Sequence, residues 1–118
     1  MINFKRLIKS FKYAFKGLRK TFKEEQNLKI QAIAACAVLV FAVYFNITRT
    51  EWMFLIFVIG LVILMEIANS AVERVTDVLK PRIHDYVKEI KDITAAGVMV
   101  ASFIALIIGA IIFLPYII

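Results

Sequence analysis

Cysteine occurs once in the chain, at Cys36, inside the apolar run AIAACAVLV. An intrachain disulfide and a multi-cysteine metal site are therefore excluded, and the side chain reads as a small apolar group facing lipid or a neighbouring helix. Glycine is scarce, with four residues, and neither GxxxxGK(S/T) nor GxGxxG occurs. That excludes a P-loop and the glycine-rich loop of a protein kinase. The single histidine, His84, reads as a solvated loop residue before it reads as a ligand. Acid is in short supply as well: nine Asp and Glu stand against fifteen Lys and Arg, a net charge of +6.

Apolar residues, by contrast, are abundant. They make up 62% of 118 residues, above the ~45–50% of a soluble globular domain. A single domain this short cannot hide that much apolar surface in one aqueous core, so lipid is the expected solvent. The basic residues are unevenly placed, nine of the fifteen falling in the first 29 positions. Such a cluster suits an anionic membrane surface or a phosphate-bearing ligand, and not nucleic acid, because the rest of the chain belongs in lipid.

Periodicity divides the chain. In residues 1–23, Phe4, Leu7, Ile8, Phe11, Phe15, Leu18 and Phe22 recur at steps of three and four, with Lys and Arg in much of the remainder. This pattern predicts an interfacial amphipathic helix, either a plain anchor or one whose basic residues also meet phosphate. A first span is expected over about 28–45, near the short end of the ~17–25 residues that cross a bilayer. No cleavable signal peptide is expected, since the first apolar run follows a long basic segment. Asn46 to Glu51 reads as a polar turn, followed by Trp52 at interfacial depth. A second span covers about 52–71. The charged stretch from Arg74 to Asp92, which contains Pro81, is expected to be a loop with a helical turn or two. A third span runs over 93–118 and opens on Ala95, Ala96, Gly97, Ala101 and Ser102, small residues that favour close helix contact. The basic residues place the N terminus and the second loop in the cytoplasm and the C terminus outside.

The second span ends abnormally. Glu66 lies within its apolar run, and Asn69, Glu73 and Asp77 follow. At about 100° per residue all three fall within roughly 60° of Glu66 on one helix face. Ionisable groups at a membrane edge are costly and mark functional sites by default. Glu24, Glu25 and Asn27 before the first span, and Lys91 and Asp92 before the third, fall at the same depth. Carboxylates gathered at one depth repel unless a cation neutralises them. Hard divalent ions such as Mg²⁺ take oxygen ligands and keep phosphate oxygens in their shell. A lysine can neutralise a phosphate and a carboxylate can act as general base, so the parts fit phosphoryl transfer from a metal-bound nucleotide. Plainer readings stand beside this one: Glu66 pairing with a basic residue between helices, Glu73 and Asp77 as a solvated helix end, Glu24 and Glu25 as boundary acids, Lys91–Asp92 as a cap and anchor. A non-catalytic membrane protein, such as a small cation conduit or an assembly subunit, is a further class, but it leaves unexplained why the polar residues collect on one side only.

The segment EIANSAVERVTD resembles the signature of the prokaryotic diacylglycerol kinase family, in words Glu, two residues, Asn, three residues, Glu, three residues, Asp. KGLR at 16–19, EEQN at 24–27 and KD at 91–92 fall where that family has matching blocks, so the resemblance spans essentially the whole chain. It implies an all-α integral membrane protein with an N-terminal surface helix and three transmembrane helices. It further implies a homotrimer with active sites built between subunits, in the bacterial cytoplasmic membrane. The implied activity is an ATP- and Mg²⁺-dependent phosphotransferase acting on a membrane lipid alcohol. By matching position, Glu66 would be the general base, Asn69 would orient the acids, and Glu25 and Glu73 would hold the metal. Lys91 would neutralise the transferred phosphate, with Asp92 fixing nucleotide or lysine. Arg6, Tyr13, Arg82, Ile83 and His84 match positions that approach the nucleotide. Of the family's two branches, one phosphorylates diacylglycerol and the Gram-positive one mainly undecaprenol. EEQNLKIQAIAACAVL and the ending IIGAIIFLP resemble the second, although Gln31 stands where that branch often has His.

Overall fold

A computed structural model describes residues 1–79 and 84–118. Helix α1 covers Phe4–Glu24, α2 Gln26–Phe45, α3 Arg49–Leu79 and α4 His84–Ile117. Three of these, α2, α3 and α4, are long and apolar enough to cross a membrane. At ~1.5 Å rise per residue, α3 and α4 are longer than the ~30 Å hydrocarbon core of a bilayer. Their charged ends therefore extend into water. This differs from the loop expected over Arg74 to Asp92: α3 continues to Leu79 and α4 starts at His84. From Arg74 to Leu79 the sequence holds neither glycine nor proline, so nothing local stops the helix as it leaves lipid. Pro81 lies outside the described residues.

Local chemistry fixes the joints. Asn3 caps α1, its Oδ1 accepting from the Arg6 N–H. A single extended residue, Glu25, separates α1 from α2. Asn46 ends α2 in the left-handed region with φ 52°, a conformation that Asn tolerates better than most side chains. There the Asn46 N–H donates to the Val43 carbonyl and the Ile47 N–H to the Ala42 carbonyl, the paired bonds of a Schellman motif. Thr48 and Glu51 then open α3 with a reciprocal capping box: the Thr48 N–H donates to Glu51 Oε1 at 2.9 Å and the Glu51 N–H to Thr48 Oγ1 at 3.2 Å. Four orphan polar groups are thus satisfied across a turn only a few residues long.

The core is a seam along α3, packed chiefly against α4. Leu55, Val58 and Val62 are buried at steps of three and four. Ala42, Ile47, Leu55 and Ile112 make a cluster at the α2–α3 turn, with Trp52 and Phe45 packed on it. Phe45 also meets Tyr116, whose hydroxyl donates to Glu51 Oε1 at 2.5 Å, so the end of α4 is tied to the start of α3. Toward the other end, a Cβ on Gly97 would come within 2.6 Å of Met65 Cε, so α3 and α4 approach closely there. Elsewhere Ile33, Phe41, Phe57, Leu64, Phe103, Leu106 and Ile111 are exposed. An apolar surface of this extent needs lipid or a second protein surface against it.

Candidate active site

The buried seam of α3 does not stop where its apolar residues do. Four-residue steps from Val58 lead to Val62, then Glu66, then Ser70, and all four are buried. Glu66 is 6% exposed and Ser70 3% exposed. Polar groups therefore occupy positions that helix geometry assigns to the core, at the end of the molecule where α1 joins α2. Asn69 is half-buried beside them, its Nδ2 donating to Glu73 Oε1 at 3.3 Å. Its Oδ1 is buried and has no hydrogen-bond partner among the described residues, an arrangement that costs about 1–3 kcal/mol unless a ligand donor or cation meets it.

Glu25 reaches this face from far away in sequence. It is the residue between α1 and α2, and the break in helix turns its side chain toward α3. Ser70 Oγ donates to Glu25 Oε1 at 2.9 Å. Glu25 and Glu73 are both near enough to Glu66 for their charges to act on it. Three carboxylates and a carboxamide thus converge from two segments within one chain.

Lys91 on α4 lies where the ends of α3 and α4 meet, Nζ at 2.6 Å from Asp77 Oδ1. Asp77, the outermost acid of the stripe, is thereby paired with the lysine. Asp92 is exposed on another side of α4, lining a shallow groove with Asp85, Lys88 and Glu89. Arg6 and Tyr13 are exposed on α1. Arg82 and Ile83, and the side chain of His84, lie outside the described residues.

Residues 12–113 match the family described as prokaryotic diacylglycerol kinase. The chain belongs to that family. It is similar to the undecaprenol kinase of Bacillus subtilis (strain 168), 37% identical over 110 residues, which cover 93% of this chain and 89% of that protein. It is also similar to the diacylglycerol kinase of Escherichia coli (strain K12), 32% identical over 104 residues, covering 88% of this chain and 85% of the other. The diacylglycerol kinase of Haemophilus influenzae is 32% identical over 108 residues, covering 91% and 92%. The chain is accordingly a membrane lipid kinase with an alcohol acceptor, and a kinase of this family implies ATP as co-substrate.

Among the described residues, no group of three or more Asp, Glu, His and Cys side chains is arranged to hold a metal ion by itself. A Mg²⁺ site of a phosphotransferase does not require one, since one or two carboxylates suffice when phosphates and water complete the shell. Carboxylate oxygens on Glu25 and Glu73 and the unsatisfied Asn69 Oδ1 are hard donors of the right kind, so the residues fit such an ion.

Two residues of this site are missing from the sequence reading. Ser70 lies four positions after Glu66, and that spacing was the available signal. Arg74 is the other: its guanidinium is 2.6 Å from Glu24 Oε2 and 3.5 Å from Glu25 Oε1, and Nη1 also donates to the Ser70 hydroxyl and carbonyl. Its only signal was adjacency to Glu73, because no periodicity links position 74 to positions 24 and 25.

Proposed function

We propose that this chain is an undecaprenol kinase, transferring the γ-phosphate of ATP to the terminal hydroxyl of undecaprenol to give undecaprenyl phosphate and ADP. The observation that carries the reading is that Glu25 and Glu73 lie near the buried Glu66, with Asn69 donating to Glu73 and its Oδ1 left without a partner among the described residues, at one end of three membrane-length helices. A long isoprenoid remains in lipid and presents its hydroxyl at the boundary. Glu66, buried at the end of the apolar seam, takes the hydroxyl proton as the oxygen attacks the γ-phosphorus and the bond to the ADP oxygen breaks. Asn69 holds Glu73 through its amide and so orients the cluster. Glu25 and Glu73 would hold Mg²⁺, an ion that would supply charge neutralisation for the nucleotide phosphates. Lys91 exchanges its Asp77 partner for the transferred phosphate, and Asp92 steadies nucleotide or lysine. Arg6, Tyr13, Arg82, Ile83 and His84 approach the nucleotide.

In this reading α1 lies in the membrane interface, its exposed phenylalanines in the acyl boundary and its lysines toward anionic headgroups. The protein is a homotrimer in a bacterial cytoplasmic membrane, with N terminus and second loop inside and C terminus outside. The second reading, diacylglycerol kinase with the same site, is favoured by the relatives of that name and by Gln31 in place of the branch's histidine. Comparing kcat/KM for undecaprenol and diacylglycerol on purified protein with ATP and Mg²⁺ decides between them. Undecaprenol is expected to be the better substrate, and good turnover of diacylglycerol with none of undecaprenol would reverse the assignment.

A further inference from the structure

At the junction of α1, α2 and α3, contacts among the described residues link four acids, Glu24, Glu25, Glu66 and Glu73, with Arg74. Arg74 is the one cation for which the described residues show a pairing there. Its guanidinium is shared unequally. One end is 2.6 Å from Glu24 Oε2, while the other is 3.5 Å from Glu25 Oε1. The second end is also held by the hydroxyl of Ser70 and, at 3.2 Å, by the Ser70 carbonyl. Both contacts to Glu25, from Ser70 and from Arg74, fall on the same oxygen, Oε1.

We propose that Arg74 is a built-in counter-cation of the metal site: it neutralises Glu25 in the empty protein, and Glu24 holds it aside when a divalent ion occupies Glu25 and Glu73. The idea rests on the metal assignment made above. Four acids at one junction would repel strongly if left alone, and a guanidinium with several donors in a fixed fork can serve two carboxylates at once. The long 3.5 Å contact is the one given up easily. The 2.6 Å contact to Glu24, together with the anchor on Ser70, keeps the cation within its own turn of α3. Glu24 is thereby a positioning residue acting through Arg74, and it need not touch metal or nucleotide.

The consequence is a pair of opposite effects on metal affinity. Arg74→Gln keeps hydrogen-bonding capacity and removes the competing charge, so binding should tighten by roughly three- to tenfold. Glu24→Gln releases the guanidinium from its better partner and leaves it to Glu25, so binding should weaken by a similar factor. Loss of one negative charge would also weaken binding without any role for Arg74, and a double-mutant cycle separates the two. If Glu24 acts by holding Arg74, Glu24→Gln has little effect once Arg74 is already Gln.

The test is an electron paramagnetic resonance titration of Mn²⁺ alone, without nucleotide, against the full-length protein in detergent micelles. It covers wild type, Arg74→Gln, Glu24→Gln and the double variant, each checked for unchanged helix content. Unchanged or weaker Mn²⁺ binding by Arg74→Gln would overturn the counter-cation, and an equal Glu24→Gln effect in both backgrounds would overturn the holding role. The underlying metal assignment fails separately: it is wrong if wild type binds no Mn²⁺, or if Glu25→Gln and Glu73→Gln bind it as wild type does.

Discussion

Glu66 occupies a position that α3 would otherwise fill with leucine or valine, and its chemistry follows from that. It is buried, and two further carboxylates act on it. Its replacement by Gln removes a charge from a repelling group while keeping the side-chain shape. Glu66→Gln should therefore lower phosphotransfer by about 10²–10⁴-fold, the range of a general base, with thermal unfolding at or above the wild-type temperature. A phosphotransfer assay beside a melting curve checks both, and full activity in Glu66→Gln and Glu73→Gln would remove the catalytic assignment. Lys91 differs because its ion pair with Asp77 is partly exposed, with 34% and 62% of the two side chains accessible. Pairs of that kind contribute about 0–1 kcal/mol. Lys91→Ala should consequently lose activity far more than it loses folded, assembled protein, measured as turnover against size-exclusion yield. Equal losses would make it a structural lysine.

At the scale of elements, the α3–α4 contact carries most of the packing, and Gly97 packs there against the end of Met65. A methyl at position 97 would meet only the flexible end of Met65, which can move aside. Gly97→Ala should be tolerated, whereas Gly97→Ile should overpack the interface at a cost of about 1–3 kcal/mol. Thermal unfolding in detergent distinguishes them, and Met65→Ala should recover part of the Gly97→Ile loss. The small residues that open the third span predict this close approach from sequence, but not its partner. The extent of the helices was less legible. Arg74 to Asp92 reads as a loop by charge, yet α3 continues to Leu79 and α4 begins at His84, because charge marks departure from lipid and not the end of hydrogen bonding.

For the whole molecule, the question is how many chains make one site. Glu25, Glu66, Asn69 and Glu73 come together within one chain, whereas Asp92 lies on another side of α4. If the assembly is a trimer with sites between neighbours, variants should complement according to that division. Oligomers mixed from Glu25→Gln and Glu66→Gln chains should stay inactive, since both lesions fall on the same side of each site. Mixtures of Glu66→Gln with Asp92→Asn should regain activity in proportion to the hybrid interfaces. Co-purified, differently tagged chains and a lipid phosphorylation assay measure this. Recovery in the first mixture would show that the acids are shared between chains.

Sequence by itself determined the solvent, the helical period and the face on which Glu66, Asn69, Glu73 and Asp77 lie, because these depend on composition and on a fixed rotation per residue. The motif spacing also determined the family, since a pattern of acid and amide at helical steps survives wherever one helix must present them together. Only the tertiary structure decided which distant groups join that face. Glu25 meets Ser70 because the chain breaks helix for one residue between α1 and α2. Arg74 holds Glu24 because that break lies beside its own turn of α3. Asp77, still exposed, became the partner of Lys91 because α3 and α4 extend past the apolar core to meet in water. None of these pairings has a period in the sequence: each depends on where two helices cross, and packing sets that.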